Sequence, residues 1–246
     1  MSLMNRDAHG ALPELPTESF DLVLTDPPYL FGNAPRVRKE HMPALDGSRI
    51  RWPLVFGELY RILKDDRAML LFGHASTFMR LGPEISAAGF RYCTDIVWVK
   101  PGPVNFLQCR QKPLSRHELI SVWSKGRLRY NPDEAKGPGG PYRKRIPTGC
   151  SFYDVERRSS AECLGGRYMT DVLFAPNKCH FRKGERTPHP TQKPLELVGR
   201  LVRAFSYPGD LCARPLRRLG DNDGRLPGAG EGVHGDRGQQ GIRSND

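Results

Sequence analysis

No run in the chain approaches the roughly 20 apolar residues that a membrane span needs, and Met1 to Leu12 has no apolar core of the signal-peptide kind. A cytoplasmic protein with no membrane partner is therefore expected. None of the six cysteines, Cys93, Cys109, Cys150, Cys163, Cys179 and Cys212, stands in a CxxC pair, and the adjacent Cys179 and His180 have no second pair to answer them. That spacing argues against a zinc site and for free thiols in a reducing compartment. Internal repeats are absent. Acidic residues are few: 27 Asp and Glu stand against 38 Lys and Arg, for a net charge of +11.

An excess of that size speaks of partners rather than of fold. A polyanion, nucleic acid or a membrane surface, is one reading, and a generally basic, well-solvated surface is the other. The distribution of the charge favours nucleic acid. From Lys100 to Arg145 there are eleven Lys and Arg against three acids, interleaved with Trp123, Tyr130 and Tyr142. Cations for phosphates and flat rings for bases are what nucleic-acid surfaces use. Lys112, Arg116, Lys125, Arg127, Arg129, Arg143, Lys144 and Arg145 are the candidate DNA contacts in this stretch.

With 246 residues, 38% hydrophobic and 26% charged, the chain has material for one α/β domain and an insertion. Phe20 to Thr25 is a strand whose Leu22, Val23 and Leu24 imply burial on both faces, as in a parallel sheet. Trp52 to Leu63 has helical spacing, Lys64 to Asp66 reads as a turn, and Ala68 to Phe72 as a second buried strand closed by Gly73. Ser76 to Ala88 reads as a helix with Gly89 as its cap, and Thr94 to Val99 and Glu118 to Trp123 as two further strands. This alternation is that of a doubly wound α/β sheet. Residues 126 to 168, rich in Gly, Pro, Arg and Tyr, interrupt it. An extended return over Arg167 to Ala175 and an amphipathic helix over Pro194 to Phe205 follow.

The chemistry centres on Asp26-Pro27-Pro28-Tyr29, directly after a buried strand. Ligands in open α/β sheets bind beyond the carboxyl ends of strands, and Asp26 is placed there. Two prolines fix a carbonyl with no competing N–H, and Tyr29 offers a ring for stacking. A carboxylate and a carbonyl are both acceptors. Together they can hold an NH2 group and keep its lone pair available for attack on a methyl sulfonium. A base presented in this way must first leave the duplex.

These residues resemble the amino-group DNA methyltransferases, which act on adenine N6 or cytosine N4, in the permuted (beta-class) order that puts the catalytic motif first. The family tetrad [DNS]-P-P-[YFW] is matched by Asp26 to Tyr29, and the string His189-Pro190-Thr191-Gln192-Lys193-Pro194 is specific to the family. Glu58 to Lys64, Ile96 to Pro101 and His117-Glu118 resemble later elements. The resemblance implies a Rossmann-like fold that uses S-adenosyl-L-methionine. It implies that Asp26 and the Pro27 carbonyl hold the target amine and that Tyr29 stacks on the flipped base. Asp7, Thr191, Gln192 and Lys193 would lie near the cofactor. Double-stranded DNA is the implied substrate, and a cognate restriction nuclease is a possible partner. The aspartate form resembles adenine-N6 enzymes, with cytosine N4 as the competitor. A catalytically inactive DNA-binding remnant is the alternative from another class.

After Leu211 the resemblance stops. The family's cofactor loop, Asp-Pro-Phe-x-Gly-x-Gly, is replaced by a segment from Cys212 to Asp246 with eight glycines and six arginines. Permitted codons for this segment, read one base later, spell Ala-Leu-Asp-Pro-Phe-Ala-Gly-Ser-Gly-Thr-Thr, which points to a frameshift near Leu211. The expected organisation is thus a catalytic half (1–125), a target-recognition insertion (126–183), a return to the catalytic domain (184–211) and a disordered tail (212–246). The fold should be incomplete, and its activity impaired.

Overall fold

The computed structural model describes residues 7–27, 50–104, 106–137, 142–145, 160–163, 166–177, 180, 181, 185 and 192–215. In chain order the elements are α1 (Ala8–Ala11), β1 (Phe20–Thr25), α2 (Trp52–Ile62), β2 (Leu63–Gly73), α3 (Ala75–Ala87), β3 (Arg91–Val104), β4 (Ser115–Lys125), β5 (Tyr142–Arg145), β6 (Ser160–Cys163), β7 (Val172–Phe174), α4 (Leu195–Phe205) and β8 (Cys212–Ala213). Six strands form one mixed sheet in the order β7-β3-β4-β2-β1-β8, and β5 and β6 form a separate antiparallel pair. No helix among the described residues is long and apolar enough to cross a membrane.

β1 is flanked by two parallel neighbours, β2 and β8, and is buried from Asp21 onwards. Its alternation assigns the two faces. Val23 joins Met69, Leu71 and Trp123 against α2 and α3, while Leu22 and Leu24 join Leu70, Phe72, Trp98 and Ile120 against α4. The α4 residues on that core, Leu197, Leu201, Ala204 and Phe205, recur at helical spacing. Burying each leucine contributes roughly 1.5–3 kcal/mol.

Two elements differ from the sequence expectation. Lys64 to Asp66 is not a turn between elements but an irregular stretch inside β2: the pairing jumps from Phe20–Leu63 to Leu22–Ala68. Asp66 takes a φ of +59°, which Asp tolerates better than most residues. Its Oδ1 accepts the Arg127 N–H at 2.8 Å, beside Gly126 with φ +74°. A Cβ on Gly126 would come within 2.7 Å of that Asp66 oxygen, so the bulge and the exit from β4 lock together. Secondly, Cys212 and Ala213, assigned by sequence to the tail, pair in parallel with Leu22 and Val23. The edge of β1 is therefore covered at these positions.

Asp21 sets this start. Its Oδ2 accepts the Leu211 N–H at 3.0 Å, and Arg67 bridges Asp21 and Asp210 at 2.9 and 3.1 Å. Burial alone would raise the Asp21 pKa, but the Leu211 N–H, Lys64 and Arg67 outweigh it and the carboxyl is held below its usual range. In the expected insertion, β7 returns to the main sheet parallel to β3, and a bridge between Gly137 and Arg167 closes the segment between them.

Candidate functional site

Period two along a strand carries Asp26 onto the same face as Leu22 and Leu24, Lys100 onto that of Trp98, and Glu118 onto that of Ile120. β4 runs antiparallel to both β2 and β3. Its start therefore meets the carboxyl ends of β2 and β1. Lys100, Glu118, Phe72 and Asp26 consequently lie on four adjacent strands at one end of the sheet.

Lys193, just ahead of α4, enters over this row. Its Nζ lies 3.1 Å from Asp26 Oδ2 and 3.1 Å from Glu118 Oε2, and 5.1 Å from the centroid of the Phe72 ring. Lys100 Nζ contacts the other oxygen of Glu118 at 2.6 Å and lies over Trp98. Trp98 is itself held by a bond from its indole N–H to the Ala175 carbonyl at 3.0 Å. The result is a buried series of alternating charge across the sheet: Asp26, Lys193, Glu118, Lys100. Burial pushes the Glu118 pKa up, but Lys193 and Lys100 overcome that and bring it down to about 2. His74, the residue before α3, is half-buried and feels Glu118 and the neighbouring cations. Desolvation, reinforced by Lys100, Lys193 and His117, lowers its pKa against the pull of Glu118, so its imidazole stays neutral at pH 7.

One atom in the row is left over. Asp26 Oδ1 is buried and, among the described residues, has no hydrogen-bond partner. An unmet buried carboxylate oxygen is costly to stability. A donor brought to it, such as an N–H of an amine, would meet a strong, charge-assisted acceptor.

Pro27, buried directly after Asp26, is the last described residue of the tetrad. Pro28 and Tyr29 lie outside the described residues, as does Thr191. Asp7 is exposed at the start of α1, with His9 3.5 Å away. Gln192 donates its side-chain N–H to the Glu185 carbonyl at 2.8 Å. Lys193, expected near a cofactor, is engaged by two carboxylates.

The basic candidates are divided between the two ends of the sheet. Lys112 is exposed, and so is Arg116, which donates to the carbonyls of Lys100 and Pro101 at 3.1 and 3.2 Å. Lys125 is buried at the far end of β4, its ammonium taken by Glu18, Asp65 and the Leu63 carbonyl. Arg127 and Arg129 are exposed at that same far end. Arg143, Lys144 and Arg145 lie on β5, opposite Glu162, Ala161 and Ser160 of β6. Sequence reasoning gave Lys100 and Glu118 no role in the site. The available signal was a charged residue in the buried phase of an apolar strand, two places from Trp98 and from Ile120.

Comparison with known proteins identifies a family and a shared fold. The family described as DNA methylase, of the N6/N4 kind, matches residues 20–215. Type II methyltransferase M.BglII of Bacillus subtilis is 26% identical over 231 residues, which are 89% of this chain and 60% of that protein. The chain thus spans about 60% of the length of that curated relative. Among solved structures, the cytosine-N4-specific PvuII DNA methyltransferase aligns with a TM-score of 0.54 at 15% identity, over 84% of this chain and 71% of that one. The M1.HpyAVI-SAM complex aligns with a TM-score of 0.51 at 15% identity, over 84% and 78%. These two show a shared fold.

Proposed function

The chain belongs to the N6/N4 DNA methylase family, and from that premise we propose that the end of β1 receives the exocyclic amine of a base flipped out of DNA, with adenine N6 as the target. Asp26 Oδ1 carries this reading: a buried acceptor with no partner among the described residues, on a carboxylate held by a cation at its other oxygen. The Pro27 carbonyl supplies the second acceptor and Tyr29 the stacking ring. Lys112 and Arg116, exposed at or just before the start of β4, take phosphates near the pocket. Arg127 and Arg129, both exposed, extend the basic surface along the duplex, and Arg143, Lys144 and Arg145 remain proposed DNA contacts by their charge.

The family's methyl donor is S-adenosylmethionine, which supplies a methyl group on a sulfonium centre. The described residues do not build a cradle for it. Gln192 and Lys193 are engaged within the protein, Asp7 is exposed on a four-residue helix, and Arg214 and Pro215 follow β8 where the glycine loop should begin. We therefore propose that the polypeptide as written binds the cofactor weakly, and that its reading frame changed near Leu211.

Incubation of plasmid DNA with the protein and S-adenosylmethionine, followed by methylation-sensitive digestion and mass spectrometry of the nucleosides, tests both statements. The chain as written should give little product. A gene recoded from Cys212 to read Ala-Leu-Asp-Pro-Phe-Ala-Gly-Ser-Gly should give N6-methyladenine, and Asp26→Asn in that gene should abolish it. N4-methylcytosine would replace the adenine assignment. Activity that survives Asp26→Asn would remove the site. A clear heat of cofactor binding to the chain as written would overturn the weak-binding proposal, and codons around Leu211 incompatible with the shifted loop would remove the frameshift.

A further inference from the structure

We propose that Glu118 is a positioning residue for the target amine: by compensating Lys193 it keeps the charge of Asp26 available at the end of β1. The inference rests on the reading that Asp26 holds an exocyclic amine, and it assigns work to a residue that acts through Lys193.

The argument is one of net charge in a dry place. An amine nitrogen that forms a fourth bond becomes positive, so the group beneath it must present negative charge. Asp26 paired with Lys193 alone is close to neutral, and a cation 3.1 Å behind the acceptor opposes the charge that develops on the amine. The side chains of Asp26, Lys193 and Glu118 are 6, 3 and 11% exposed, so water does little to screen that opposition. Glu118 Oε2 takes the same ammonium from the other side at 3.1 Å. Asp26, Lys193 and Glu118 together then carry one net negative charge. Lys100 balances it, but through Glu118 Oε1, on the side of Glu118 away from Asp26. The row has its negative end at β1 and its positive end at β3. His74 adds no cation to it at pH 7, because burial and the neighbouring cations keep its imidazole neutral. Lys193 and Lys100 hold the Glu118 pKa down to about 2, so its carboxylate is ionised at neutral pH.

A mere brace for Lys193 would use the same contacts, so the test turns on the sign of the response. Fluorescence anisotropy measures binding to single-stranded oligo(dA) and to the same oligomer of purine deoxyriboside, which lacks the 6-amino group. The ratio of the two affinities reads recognition of the amine and needs no methyl donor. Wild type should prefer oligo(dA) by roughly tenfold, the worth of one charge-assisted hydrogen bond. Glu118→Gln should bring the preference to within about twofold of none, and Glu118→Asp should keep part of it. Lys100→Met, which removes the outer cation and leaves Glu118 in place, should not lower the preference. If Glu118→Gln does not fold, Glu118→Asp against Lys100→Met makes the same comparison. A fall with Lys100→Met as large as with the Glu118 variants would overturn the proposal and leave Glu118 a brace. An equal preference in Glu118→Gln and wild type would also overturn it. Loss of the preference in Asp26→Asn keeps the underlying reading intact in either case. A wild type with no preference, or Asp26→Asn with an unchanged one, would bring down that reading itself.

Discussion

Two lysines mark opposite ends of the central sheet, and they are built alike. Lys193 and Lys125 are each nearly buried, each between two carboxylates and each about 5 Å from an aromatic ring centroid, Phe72 for one and Tyr60 for the other. The carboxylates differ. Those on Lys193 belong to Asp26 and Glu118 and are 6 and 11% exposed, whereas those on Lys125 belong to Glu18 and Asp65 and are 52 and 76% exposed. The Lys125 end is a clamp with its anions in water. It fastens the last residue of β4 to the bulge in β2 and to the segment before β1, and salt screens it. The Lys193 end has both its anions withdrawn from water. Buried ion pairs of that kind often stabilise a fold no more than apolar side chains of the same volume, so stability alone does not account for the burial at the Lys193 end.

The sharpest break in the comparison is removal of each cation. Lys193→Met removes the cation between Asp26 and Glu118, leaving Glu118 with Lys100 and Asp26 without its ion pair, and should cost about 3–5 kcal/mol in urea-induced unfolding. A loss below about 1 kcal/mol would mean that water already reaches the pair. Next comes pH. The Glu118 pKa falls on folding from 4.5 to about 2, which is worth on the order of 3 kcal/mol. A lowered carboxyl stabilises above its unfolded value and loses that contribution as pH falls through the folded one. Wild-type stability should therefore drop between about pH 4.5 and 2, and Glu118→Gln should flatten that limb. Lys125→Met should cost less, about 1–2 kcal/mol, mainly through the unmet Leu63 carbonyl. Burial lowers the Lys125 pKa, but Glu18 and Asp65 raise it further. Its contribution should accordingly persist at neutral pH and fade only above pH 10.5, as the ammonium titrates through its raised value. Smallest is Asp65→Asn, expected to cost under about 0.5 kcal/mol at low salt and nothing measurable at high salt. An equal response of the two ends to salt would erase the distinction.

The elements that depend on local pattern were legible in the chain. Phe20–Thr25 is a strand because its apolar run and its proline stop are contiguous, and Leu195–Phe205 is a helix because its apolar positions recur by turns. Asp26 was legible for the same reason: it stands where a buried strand meets two prolines. What escaped was pairing at a distance. Lys193 meets Glu118 across 75 positions of sequence, and no window holds both. The motif containing Lys193 suggests a place near the cofactor and gives no sign that the ammonium lies between two carboxylates. Counting cations likewise placed Lys125 on a nucleic-acid surface, because composition does not show which charges already have partners. The stretch Lys64 to Asp66 reads as a turn by its residue types, but the exit of β4 beside it holds it as a bulge within a strand.

The grip of Asp21 on the Leu211 amide also acts as a phase setter. It fixes Cys212 opposite Leu22 and Ala213 opposite Val23. A pleated strand has only two settings, and a slip of one residue would exchange every inward side chain for an outward one. Any sequence spliced on after Ala213 therefore inherits its inside-outside order from a carboxylate near the beginning of β1. This makes that junction a natural seam at which a replacement half could be joined to the protein.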